Sequence, residues 1–190
     1  RQRQMCIRDS SVLNLDNGLS NLIAEIPIDE VRPKGFDATR VGIRSVSWRR
    51  DKPSELYWVE ANDGGDPKKN VEHRDIIYTL SSPFDASSQI ELVRTKLRFG
   101  GITWSNGKLA LLTERLWSNR NQVTSLIDTD SRKITKILFD RQYDDIYTDP
   151  GSPVLTKNKF GKNVVEIKKN SVYMISSCLL YTSDAADDET

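Results

Sequence analysis

The sequence is short of nearly every residue type that does chemistry. Its 190 residues include one histidine, His73, and two cysteines, Cys6 and Cys178. One histidine excludes a multi-histidine metal centre and leaves one candidate for any histidine-dependent triad. Two cysteines cannot make a disulfide framework or a cysteine-rich zinc site. Neither charge is in excess: 28 Lys and Arg face 27 Asp and Glu, for a net charge of +1. That leaves no overall electrostatic footprint for nucleic acid. No apolar run approaches the roughly 18 residues of a membrane span. Helical spacing of apolar residues is weak throughout. What remains, 37% hydrophobic and 29% charged, is a globular composition. The length suits one domain of about 150 residues or part of a larger one.

The cysteines mark two unusual ends. Residues 178–187 can be written as codons: TGT CTC TTA TAC ACA TCT GAC GCT GCC GAC. The reverse complement, read from its third base, translates as Arg-Gln-Arg-Gln-Met-Cys-Ile-Arg-Asp, the sequence of residues 1–9. The ends are thus two readings of one inverted repeat and resemble a translated transposase-type sequencing adapter. Residues 1–10 and 178–190 are therefore set aside from fold reasoning. Both cysteines leave with them. The expectation is an interior, residues 11–177, open at both ends, whose own residues assign no compartment.

That interior reads as short strands. Val41–Trp48, Leu56–Ala61, Arg74–Leu80, Ile90–Arg94, Gly101–Trp104, Leu109–Glu114, Val123–Asp128 and Ile134–Asp140 are rich in β-branched and aromatic residues. Gly151–Thr156, Val164–Lys168 and Val172–Ser176 extend the series. Asn17-Gly18, Asn62-Asp63-Gly64-Gly65, Asn106-Gly107 and Asp149-Pro150-Gly151 punctuate it. A repeat narrows the class. Ser45-Val46-Ser47-Trp48 and Leu56–Glu60 correspond to Gly101-Ile102-Thr103-Trp104 and Leu109–Glu114, each followed by two more strands. Four strands per roughly 50-residue unit is the blade of a β-propeller. The expected fold is all-β, an incomplete β-propeller. It would have a blade end at 11–40, full blades at 41–95 and 96–146, and a blade start at 147–177.

A search for reacting groups finds none to carry forward. A nucleophile elbow needs G-x-S-x-G; Ser105 has Thr103 where the first Gly belongs, and Ser152 is followed by Pro153. Ser105 reads as a turn residue and His73 as an exposed structural one. Asp128-Thr129-Asp130 opens like a calcium loop, but Lys133 and Phe139 stand where Gly and Glu are needed. Asp63-Gly64-Gly65-Asp66 could take a cation and reads more simply as a turn. No phosphate loop and no dinucleotide fingerprint is present. Trp48 and Trp104, at equivalent repeat positions, read as packing between blades; Trp117 breaks the repeat and reads as exposed. Lys157-Asn158-Lys159-Phe160-Gly161-Lys162 reads as a solvated hairpin tip. No catalytic, cofactor-binding or metal-binding residue is assigned, and no cofactor is expected.

Several strings then resemble one family. They are Gly35–Arg40, Arg44–Arg49, Leu56–Asp66, Leu97–Trp104, Leu109–Glu114, Phe139-Asp140-Arg141 and Asp149–Pro153. Together they resemble the propeller of prolyl oligopeptidase family serine peptidases, most closely the glutamyl endopeptidase group of bacteria and chloroplasts. One departure is visible: the group often carries a second Arg just after the position of Arg120, where this chain has Asn121-Gln122.

The resemblance implies a larger hydrolase. Its propeller would restrict access for peptides to a C-terminal α/β-hydrolase domain. That domain would carry the Ser-Asp-His triad and lie beyond residue 177. Basic side chains would receive an acidic substrate residue. A bacterial exported or periplasmic parent fits this picture, with no nucleic acid partner and no membrane span. The alternative is a propeller interaction module with no enzymatic domain.

Overall fold

The computed structural model describes residues 8–26 and 32–176. Cys6, Cys178 and most of the two adapter-like ends lie outside them. The first strand, β1 (Arg8–Leu13), begins inside the segment set aside and pairs antiparallel with β2 (Ser20–Ile26). Between them Asn14 Oδ1 accepts the backbone N–H groups of Asp16 and Asn17, an Asx turn.

Two four-stranded sheets of the same order follow. The first is β3 (Arg44–Trp48), β4 (Glu55–Ala61), β5 (Asp75–Ser81) and β6 (Ile90–Thr95). The second is β7 (Arg98–Trp104), β8 (Leu109–Arg115), β9 (Asn121–Asp128) and β10 (Lys133–Gln142). Each is a meander in which every strand pairs antiparallel with the next. Among the described residues the only helical element is one 3-10 turn, Ala86–Ser88, capped by the Asp85 side chain.

The sheets stack face to face, and β4 shows why its sequence is a continuous apolar run. Adjacent strand residues point to opposite faces. Trp58 enters a cluster with Leu56, Leu80 and Phe84, against which Val12 and Ile23 of the β1–β2 hairpin pack. Its neighbour Val59 enters a second cluster with Ile77, Val93, Trp104, Leu112, Ile127 and Val164. The first sheet is thus buried on both faces.

The third group is more broken than the sequence suggests. Three strands were expected between 151 and 176. Instead β11 (Ser152–Pro153) pairs with β16 (Met174–Ile175), β12 (Leu155–Lys157) with β13 (Asn163–Val165), and β14 (Ile167–Lys168) with β15 (Ser171–Val172). Pro153 has no N–H to extend a ladder, and at Val154 the chain changes partner: its N–H still donates to Tyr173 O, while its O accepts the Glu166 N–H. Ser105 bridges to Val165, which ties the group to the second sheet.

The all-β class expected from the sequence therefore holds. Two stacked four-stranded meanders, with no closed barrel among the described residues, are consistent with an incomplete propeller.

Candidate functional site

The charge chemistry gathers at one end of the sheets, where β3 and β7 begin and β4 and β8 end. The β4–β5 turn is Asn62-Asp63-Gly64-Gly65, and its tightness is what places Asp63. Gly65 has φ +76°, and a Cβ there would stand 1.9 Å from Thr39 O, so only glycine fits. Asp63 is fully buried and accepts the Gly65 N–H at 2.9 Å. It also accepts Arg74 Nη1 at 3.1 Å and Arg98 at 2.9 and 2.7 Å.

Asp75, first residue of β5, is the second buried carboxylate. It accepts Arg98 Nη1 at 2.9 Å, the Phe99 N–H at 2.7 Å and Arg44 Nη2. Arg98 completes its own donors with Asp37 O at 2.8 Å. All three of its side-chain nitrogens thus donate to the fold. Arg44 is not fully used: its Nη1 is buried without a partner. Burial holds the Arg44 guanidinium below its ordinary pKa, and Asp75 only partly offsets this.

Asp37, at φ +66°, holds the β8–β9 connection through the backbone N–H groups of Trp117 and Ser118. Burial pushes its carboxyl upward. The Ser118 hydroxyl, those two N–H groups and Arg98 outweigh burial and hold it below the usual range. Arg120 lies over the rings of Trp117 and Tyr143, at 5.0 and 5.8 Å. Arg115, at the end of β8, is exposed, and its side chain makes no ion pair or hydrogen bond among the described residues.

The residues weighed from sequence fall elsewhere. Ser105 is a turn residue: its hydroxyl donates to Leu109 O and accepts the Gly107 N–H. Asp128 Oδ1 caps the β9–β10 turn through the N–H groups of Asp130 and Ser131. No group of metal-ligand residues occurs among the described residues. Trp117 is half-exposed, as expected.

Three expectations need correction. His73 is half-buried beside Glu72 rather than exposed. Trp48 and Trp104 share a repeat position but not an environment. Trp104 is 1% exposed under Tyr57 and Arg49 of the first sheet, whereas Trp48 is 48% exposed with only Phe84 against its edge. The hairpin in front of the first sheet has two strands rather than four, so it covers less. The 157–162 tip is not merely solvated, since Asn158 Nδ2 donates to Arg50 O at 2.6 Å. Sequence reasoning missed the Asp63–Arg98–Asp75 network. Its only sequence trace is a charged residue at the head of each of two apolar strands.

Comparison with known proteins places the chain beside one class of enzyme. It is 39% identical over 150 residues to a protein of Oryza sativa subsp. japonica named "Probable glutamyl endopeptidase, chloroplastic". It is 38% identical over 163 residues to a protein of the same name from Arabidopsis thaliana. These matches cover 77% and 84% of this chain but 16% and 17% of the relatives. The chain therefore spans about a sixth of the length of the curated relatives it matches. No family model matches it.

Proposed function

We propose that residues 11–177 are the non-catalytic, substrate-gating propeller segment of a serine-type peptidase of the prolyl oligopeptidase family. The identity to proteins named glutamyl endopeptidase over most of the chain carries this reading. The successive four-stranded meanders support it. In this reading the two full sheets are two blades, and the hairpin and the broken third group are parts of two more. The segment admits peptides and excludes folded proteins. The nucleophilic serine, its histidine base and its oxyanion donors lie in an α/β-hydrolase domain outside this chain. Ser105 and His73 are structural, and residues 1–10 and 178–190 are translated adapter rather than protein.

Recovery of the complete gene from the source DNA tests all of this. The expected frame runs past residue 177 without the adapter-like codons. Several hundred residues on, it reaches G-x-S-x-G followed by Asp and His. The full-length product should react with a fluorophosphonate at that serine. A stop codon soon after the last blade would overturn the peptidase reading in favour of an interaction module.

A further inference from the structure

Three positions in the chain carry an Asn or Asp followed directly by glycine: Asn17-Gly18, Asp63-Gly64 and Asn106-Gly107. Such a step is chemically labile. Glycine has no Cβ to shield its backbone nitrogen, so that nitrogen can reach the side-chain carbonyl carbon of the residue before it. The fold treats the three steps differently. Asp63 is fully buried, and its carboxylate is held by Arg74 and Arg98. Asn17 is exposed, but its Oδ1 accepts the Leu19 N–H at 2.9 Å, and the Gly18 N–H donates to Asn14 O at 2.9 Å. Both reacting groups are engaged there, and the side chain closes an Asx turn onto Leu19 rather than Gly18.

Asn106 is held by neither device. It lies with Gly107 and Lys108 in the exposed turn between β7 and β8, and its side chain makes no hydrogen bond among the described residues. The Gly107 N–H donates to Ser105 Oγ at 3.2 Å, the long end of the normal range. The space around Gly107 is open. We propose that Asn106 is a site of spontaneous deamidation, and that the fold confines this chemistry to it. The Gly107 nitrogen gives up its proton and bonds to Asn106 Cγ. The Cγ–Nδ2 bond breaks, and Nδ2 leaves as ammonia with a proton in place of that bond, so a succinimide forms. Water then opens the ring at one of the two imide C–N bonds. Opening at Cγ gives aspartate; opening at the main-chain carbonyl carbon gives isoaspartate, with the chain running through Cγ. Either product adds a carboxylate to the cleft of about 350 Å³ that Asn106 and Lys108 line with Glu166 and Lys168 of the third group. Isoaspartate also adds a carbon to the main chain beside the Ser105–Val165 bridge that ties that group to the second sheet. The reaction needs only this turn and water, so it does not rest on the peptidase reading.

Peptide mapping by mass spectrometry tests it, on the whole chain held in mildly alkaline buffer. The readouts are the amide-to-acid mass gain at each Asn and the paired aspartate and isoaspartate peptides. In the native chain Asn106 should convert at least about tenfold faster than Asn17, whose two reacting groups must first give up their hydrogen bonds. In urea the two should convert at similar rates, because both steps read Asn-Gly. The rate at Asn106 should rise with pH, since the attacking nitrogen must lose its proton. Gly107→Ala should slow conversion at least about tenfold, because a Cβ crowds that nitrogen. It should leave the urea midpoint unchanged, since the Cβ meets open space. Conversion of Asn17 as fast as Asn106 in the native chain overturns the proposal, as does an excess at Asn106 that persists undiminished in urea.

Discussion

Arg98, the first residue of β7, reaches Asp75, the first residue of β5, with Nη1 2.9 Å from Oδ1. The same guanidinium grips Asp63 through two bonds of 2.9 and 2.7 Å. One side chain of the second sheet thus bridges two fully buried carboxylates of the first, whose charges it shares with Arg44 and Arg74. Removing it leaves both charges buried with only Arg44 and Arg74. Arg98→Met is expected to destabilise the chain by about 3–5 kcal/mol, the usual cost of breaking a buried ion pair from one side. Arg98→Lys should recover only part, because one ammonium cannot span both carboxylates and Asp37 O. Urea denaturation of the three proteins measures this.

How far the sequence could foresee the fold depends on how local each feature is. The eight strands of the two sheets were legible because each carries its own apolar run and its own turn. Turns such as Asn106-Gly107 and Asp128-Thr129-Asp130 were legible because an Asx or Ser side chain bonds within three residues. The start of β7 was not: the expected strand was Gly101–Trp104, whereas β7 begins at Arg98. In the fold Gly100 lies within the strand at a register shift between Phe99 and Gly101, where a Cβ would sit 3.1 Å from Thr113 O. The arginine–aspartate network was least legible of all. Its pairs lie 35 and 23 residues apart, and only the packing of two sheets brings them together.

The unequal burial of the two repeat tryptophans gives a second prediction. Trp104 lies edge-on to Tyr57 at 5.4 Å and under Arg49 at 4.3 Å. Trp48 has water over half its surface. Trp104→Ala should cost about 3–5 kcal/mol, as removal of a buried aromatic does. Trp48→Ala should cost about 1 kcal/mol, in proportion to the smaller area it hides. Equal losses in thermal denaturation would show that Trp48 is covered in solution.

Glycine at 65 is required twice over. Its φ of +76° disfavours any Cβ, and that Cβ would meet Thr39 O at 1.9 Å. Gly65→Ala is expected to cost about 2 kcal/mol or more, combining backbone strain with displacement of the 37–40 segment. Gly107 has open space around its Cβ position and no such φ. Gly107→Ala should stay within about 0.5 kcal/mol. Paired melting curves separate a conformational requirement from a generic loss of glycine.

Glu114 supplies the pH dependence. It sits on β8, 5% exposed, and accepts the Leu97 N–H at 3.2 Å. Burial raises its carboxyl pKa from the ordinary 4.5, more than the N–H groups of Leu97 and Lys96 and the Lys96 charge lower it. An acid whose folded pKa exceeds its unfolded value stabilises the fold fully below the unfolded value. That contribution is lost as pH rises through the folded value. The unsubstituted chain should therefore lose stability relative to Glu114→Gln as pH rises from about 4 towards 7. The amide oxygen of the variant keeps an acceptor for Leu97 without a buried charge. At pH 7 the variant should melt at the same temperature or higher, and near pH 4 the two should converge. A variant less stable at pH 7 than at pH 4, relative to the unsubstituted chain, would mean that Glu114 is held ionised by a cation the fold brings close.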